Sequence, residues 1–129
     1  MDNAKHGAQS AGQVRRLKVP VFDDERGRVV PIEHAHPDLP FVPARTFVIC
    51  DVPPGKSRAE HTLTCDQLLV AASGSVKVIA RTGGREASHA LDTPGAALFI
   101  PEGTWIALRD FSPGAVLVVF AAKPYRRRD

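Results

Sequence analysis

His61 is the residue of this 129-residue chain best placed to do chemistry. It lies in the segment RAEHTLTCDQLLVAASGSVKVI, Arg58 to Ile79, just ahead of the strongest apolar run. If the segment is an unbroken strand, its period of two puts His61, Leu63, Cys65 and Gln67 on one face and Leu68, Val70 and Ala72 on the other. A partly polar face between buried neighbours predicts a pocket. An imidazole in it predicts general acid–base work, because histidine is the side chain that exchanges protons near neutrality. The competing reading is a hydrogen-bonded core histidine that serves stability. Glu60 and Asp66 flank His61 but point away from it in a regular strand, so Asp66 is usable only with a bulge. His34 and His36 form an H-x-H spacing on a loop with Pro31, Pro37, Pro40 and Pro43, which lacks the rigid wall a metal site requires. Cys50 and Cys65 lie in apolar strand-like segments and read as buried, reduced thiols. His89 is expected at the surface.

The elements that must position these residues are strands. Arg45 to Val52, Gln67 to Ala72, Val76 to Ala80, Arg85 to Leu91, Ala96 to Ile100, Trp105 to Arg109 and Ala115 to Ala121 alternate or run apolar. They are punctuated by Pro53-Pro54-Gly55, Thr82-Gly83-Gly84 and Asp92-Thr93-Pro94-Gly95. Ser73-Gly74-Ser75 is short enough to predict an antiparallel hairpin between the two most apolar runs. A first hairpin is expected from Leu17 to Glu33 around the charged turn Asp23 to Gly27, with Pro31 marking an edge. About nine short strands and no convincing helix predict an all-β sandwich or barrel in a single domain. Residues 1–14 read as a flexible tail, 15–125 as the domain and 126–129 as a basic tail. The net charge of +3 is modest and partly due to Arg126 to Arg128, so it does not argue for nucleic acid. No run has membrane-spanning length and no signal peptide is read, which makes the cytoplasm the expected location.

Two glycine-framed motifs resemble those of the jelly-roll cupins. Gly55, His61 and Gly74 match the first, with Leu63 where a second histidine is usual and Gln67 where an acid is. Gly95, Pro101 and Gly103 match the second, with Ile106 at its histidine position. The glycines and the proline serve turns, so they imply the cupin fold, a double-stranded β-helix jelly-roll barrel. The histidines of such motifs hold a metal, and two of the three are aliphatic here. One histidine falls short of the three protein ligands of a catalytic metal site, so neither a metal nor another cofactor is expected.

A closer resemblance covers nearly the whole domain. FDDERGRVVPIE (Phe22 to Glu33), ARTFVICDVPPGKSRAEH (Ala44 to His61), QLLVAASGSVKV (Gln67 to Val78) and LFIPEGTWIALRDFSPGAVLVVFAAKPY (Leu98 to Tyr125) resemble the sugar 3,4-ketoisomerases. These are metal-free cupins of deoxysugar biosynthesis that act on thymidine-diphosphate (TDP)-linked 4-keto-6-deoxyglucose. The resemblance implies a TDP-linked deoxysugar as partner and His61 as the acid and base that moves the carbonyl. It implies Arg45 and Arg58 as bidentate holders of the pyrophosphate, Gln67 and Trp105 as further substrate contacts, and a homodimer with the Leu17 to Glu33 hairpin at or across the interface. The chain also departs from the family. Where R-G-x-H-A-H is typical it has Arg58-Ala59-Glu60-His61-Thr62-Leu63, it reaches Gln67 one residue sooner, and Phe47 and Val48 replace tyrosines. Two other readings therefore stand beside the first: a nucleotide-sugar epimerase, and a sugar-nucleotide-binding cupin without turnover. For the arginines the alternative is a salt bridge to Asp51 or Glu60, and for Trp105 it is core packing.

Overall fold

Short apolar runs cut by glycine and proline leave no stretch long enough for a stable helix. The computed structural model describes residues 13–35, 37 and 39–125, and among them there is none. The strands are β1 (Arg15–Leu17), β2 (Phe22–Asp24), β3 (Gly27–Val29), β4 (Arg45–Cys50), β5 (Arg58–Thr62), β6 (Gln67–Ser73), β7 (Val76–Thr82), β8 (Arg85–Leu91), β9 (Ala97–Ile100), β10 (Trp105–Arg109) and β11 (Val116–Ala121). One sheet has the order β1-β9-β6-β11-β4, the other β5-β10-β7-β8, and among the described residues β2 pairs only with β3. All pairings are antiparallel. From β4 to β11 successive strands alternate between the two large sheets except at the β7–β8 hairpin, the connectivity of a jelly roll.

That alternation corrects one expectation. β6 and β7 are not a hairpin: Ser73-Gly74-Ser75 carries the chain from one sheet to the other. Loop length limits the distance between two strand ends but does not say which sheet the second strand joins. The crossover is held by Ser75 N–H donating to Ser112 Oγ (2.9 Å) and Ser112 N–H donating to the Ser75 carbonyl (2.9 Å). At β7–β8, by contrast, Gly83-Gly84 forms the two-residue turn of a true hairpin, with Thr82 opposite Arg85. The first hairpin exists but is shorter than expected, with Glu25-Arg26 as its turn and its second strand ending two residues before Pro31.

Leu69, Leu98, Ile100, Leu117 and Val119 from the first sheet pack against Val78, Leu91, Ile106 and Leu108 from the second, forming the main core. A second cluster lies on the outer face of the first sheet, where Ile32, Leu39 and Phe41 cover Leu68, Val70 and Phe99. Burial on both faces is why β6 reads as a continuous apolar run. Val14, placed in the tail by the sequence, packs on the main core. Residues 1–12, His36, Asp38 and 126–129 lie outside the described residues.

The two open sides of the sandwich differ. On one side Arg16 of β1 donates from Nη2 to the Ala90 carbonyl of β8 at 2.7 Å and ties the sheets together. On the other the edge strands are β4 and β5, joined by the 51–57 loop. His89 of β8, expected at the surface, is half-buried. Burial pushes its imidazole below the ordinary value of 6.5, and the Arg16 cation pushes in the same direction. The native state therefore favours the neutral ring, while the unfolded chain takes up a proton at about 6.5. Stability is fully present above that pH and is lost as pH falls from there through the lower native value. His89→Gln should flatten this acid limb in urea titrations between pH 7 and 5; an unchanged limb would contradict the assignment.

Gly74 tests the crossover. It has φ 69°, and a β-carbon there would lie 2.5 Å from Ser112 Oγ and 2.8 Å from the Ala115 Cα. Gly74→Ala should cost about 2–4 kcal/mol by urea denaturation. Gly83→Ala, at φ 57° in open space, should cost only about 1 kcal/mol.

Candidate active site

Between β4 and β5 the inner faces separate into a cleft of about 600 Å³. Its floor is the continuation of the core: Leu63, Leu69, Ile106, Leu108 and Val119, with Phe47 and Ile49 from the inward-facing positions of β4. Its polar groups lie mainly on two strands and one loop. His61 and Arg58 come from β5, Gln67 from the start of β6, and Asp51, Lys56 and Ser57 from the 51–57 loop. In that loop Lys56 N–H donates to the Pro53 carbonyl at 3.1 Å, closing a tight turn at Pro54-Gly55.

The strand carrying His61 does not continue into β6. β5 ends at Thr62 in the second sheet and β6 starts at Gln67 in the first, so the chain crosses between sheets in 63–66. Leu63 anchors the crossing, its N–H donating to the Thr104 carbonyl and its own carbonyl accepting from Gly103 N–H, both at 2.9 Å. His61, Leu63 and Gln67 still meet in one cleft, whereas Cys65 is buried outside it. Asp66 is also committed elsewhere: its Oδ1 accepts from Glu102 N–H at 2.8 Å. The bulge in this region lies at Glu60, upstream of His61.

His61 is exposed to the cleft, and its Nδ1 lies 3.3 Å from the Thr62 carbonyl. A carbonyl can only accept, so this contact is a hydrogen bond when Nδ1 carries the proton. The neutral ring then keeps Nε2 as its basic nitrogen. Leu63 and Ile106, each 2% exposed, line the cleft with it. Among the described residues no group of three histidine, cysteine or acidic side chains is arranged to hold a metal ion.

The five residues expected to form a site are not all brought together. His61, Arg58 and Gln67 line the cleft; Arg45 and Trp105 do not. Arg45 lies beside it, its guanidinium 5.0 Å from the Phe47 ring centroid and 5.4 Å from that of Tyr125. Its Nε is buried with no hydrogen-bond partner. Trp105 begins β10, whose alternation sends Ile106 and Leu108 inward and Trp105 to the outer face, where the Arg81 guanidinium stacks 4.1 Å from its ring. Among the described residues neither Arg45 nor Arg58 has a carboxylate partner, which removes the salt-bridge alternative for both. Asp51, Lys56 and Ser57 were not expected in the site. The one signal for them was the Pro-Pro-Gly turn, which folds a short loop back over the strand before His61.

The profile of the family described as FdtA: WxcM-like, C-terminal, matches residues 12–129. The chain belongs to the FdtA family. It is 32% identical over 107 residues to a TDP-4-oxo-6-deoxy-alpha-D-glucose-3,4-oxoisomerase of Aneurinibacillus thermoaerophilus, a match spanning 82% of this chain and 76% of the relative. Among solved structures it is similar to QdtA, a sugar 3,4-ketoisomerase from Thermoanaerobacterium thermosaccharolyticum in complex with TDP. There the identity is 31%, the coverage 90% of this chain and 85% of the other, and the TM-score 0.83. A 3,4-ketoisomerase from Helicobacter canadensis matches with 29% identity, 90% and 87% coverage, and a TM-score of 0.82.

Cys50 corrects a further expectation. It is exposed and lines the cleft of this FdtA-family chain, while Cys65 is buried, and both are free thiols. One thiol per chain should react with an aromatic disulfide reagent in the native protein, and two after denaturation. Two fast-reacting native thiols would contradict the geometry.

Proposed function

We propose that the chain is a metal-independent sugar-nucleotide 3,4-ketoisomerase of deoxysugar biosynthesis, acting on a TDP-linked 4-keto-6-deoxyhexose. The observation that carries this reading is the joint placement of Arg58 and His61 on the wall of one cleft, in a chain about 30% identical to 3,4-ketoisomerases over most of its length. The cleft volume of about 600 Å³ is within the range of small-molecule sites.

The chemistry follows from the groups present. The C3–H of a 4-keto sugar is acidic because the adjacent carbonyl accepts the charge as an enediolate. Nε2 of His61 removes that proton, and the resulting imidazolium returns a proton to C4, so one residue serves as base and then acid. The remaining transfer moves the hydroxyl proton from the C3 oxygen to the C4 oxygen. Leu63 offers no group for that step, which passes through solvent in the open cleft. Arg58 holds the pyrophosphate through charge-assisted hydrogen bonds, Lys56 adds positive charge at the same end, and Gln67 hydrogen-bonds the sugar. Arg45 extends the anion-binding surface beside the cleft; Trp105 serves packing on the outer face.

The same reading includes a homodimer. β2 and β3 form an isolated hairpin with Phe22 61% and Val29 64% exposed, and a two-stranded hairpin is marginal in water by itself. A second copy covering it fits both facts. Free Cys50 and Cys65 fit a reducing, cytoplasmic setting, and no described helix is long and apolar enough to cross a membrane.

The test is turnover of TDP-4-keto-6-deoxyglucose followed by NMR. The parent protein should move the ketone to C3. His61→Asn should lose on the order of a hundredfold or more in kcat while still binding TDP. TDP binding without turnover by the parent would support the binding-only reading, and His61→Asn with parental kcat would remove His61 from the chemistry.

A further inference from the structure

Arg58 and His61 are three residues apart on β5, and a regular strand would turn them to opposite faces. Both nevertheless line the cleft. The pairing with β10 explains how: His61 is opposite Ile106 and Ala59 opposite Ala107, so Glu60 is an extra residue with no partner of its own. Arg58 is then opposite Leu108, and Ile106 and Leu108 both face the core. A one-residue bulge has restored the two side chains to one face.

The bulge is built from unpromising residues. Ala59 has φ 68° and Glu60 φ 65°, the left-handed region that side chains other than glycine rarely enter, and here two consecutive residues occupy it. One interaction spans the distortion. Ser57 Oγ donates to Oε2 of Glu60 at 2.6 Å, a short charge-assisted bond between the loop and the bulged residue. Glu60 itself is exposed and does not line the cleft.

We infer that Glu60, latched by Ser57, is a positioning residue: it holds the bulge that places Arg58 and His61 on the same wall. This rests on the ketoisomerase reading, and it makes the spacing of anion holder to proton carrier a property of the bulge. A ligand gripped through its pyrophosphate by Arg58 then presents its sugar carbons to His61. Without the bulge, every residue upstream of His61 shifts by one position, Arg58 turns to the outer face of the sheet opposite Arg109, and Ala59 takes its place opposite Leu108.

Three variants test this, with TDP affinity by calorimetry and kcat and KM for the TDP-linked 4-keto sugar as readouts. Glu60→Val places a β-branched residue where left-handed backbone is needed, and should weaken TDP binding and raise KM by about tenfold or more. Glu60→Gln keeps an acceptor for Ser57 and should stay within about twofold of the parent. Ser57→Ala, an exposed loop change that leaves the core untouched, should act in the direction of Glu60→Val with a smaller effect. The decisive comparison is in the Arg58→Ala background. If the bulge works by aiming Arg58, adding Glu60→Val there should weaken TDP binding no further. The inference is overturned if Glu60→Val and Ser57→Ala both bind TDP like the parent, or if Glu60→Val costs the same factor with and without Arg58. A parent protein that neither binds TDP nor moves the ketone would sink the ketoisomerase reading itself, and this inference with it.

Discussion

Burial of the two sheets' inner faces against each other is the interaction on which everything else rests. Leu69, Leu98, Ile100 and Leu117 on one sheet and Val78, Leu91 and Leu108 on the other are almost wholly excluded from water. Each such side chain contributes roughly 1.5–3 kcal/mol relative to exposure. Close packing makes both sheets stiff walls. The cleft is the place where that packing stops. At the β4 and β5 edges the same apolar floor continues, but no facing side chain fills the gap. A cavity formed in this way inherits rigidity from the core, so groups on its walls keep fixed distances from one another.

How much of this was legible depended on how local the signal was. Strand positions from Arg45 onward followed from alternation and from Gly and Pro turns, and Arg85–Leu91 and Trp105–Arg109 match the expected limits to the residue. Non-local facts were harder. Ser73-Gly74-Ser75 reads as a hairpin turn because its length permits one, yet partner choice was decided by β9 and β11, which flank β6 and exclude β7. The exposure of Cys50 depended on β4 being an edge strand, which nothing in RTFVIC announces.

The site shows the same division. His61 and Gln67 were recognisable from residue type and from the apolar surroundings that imply a pocket. Trp105 was not assignable, because a half-buried tryptophan serves a ligand or the outer face of a sheet equally well until its strand's direction is known. The Ala59-Glu60 bulge was invisible for a different reason. Its backbone calls for glycine, and the sequence supplies an alanine and a glutamate, so the local preference contradicts the structure. Such conflicts persist where surrounding contacts over-determine the backbone, and they gather at functional sites.

Leu63, where the resemblance to the ketoisomerases implies a second histidine, ties β5 to the Gly103-Thr104 turn through its backbone and lines the floor of the cleft with its side chain. Among the described residues His61 is the one imidazole that lines the cleft. The most direct measurement is therefore the fate of the C3 proton. With TDP-4-keto-6-deoxyglucose in deuterated water, the parent protein should wash deuterium into C3 of recovered substrate or deliver it to C4 of the 3-keto product, and His61→Asn should do neither. Exchange that survives the loss of His61, or ketone migration without any involvement of it, would contradict the account.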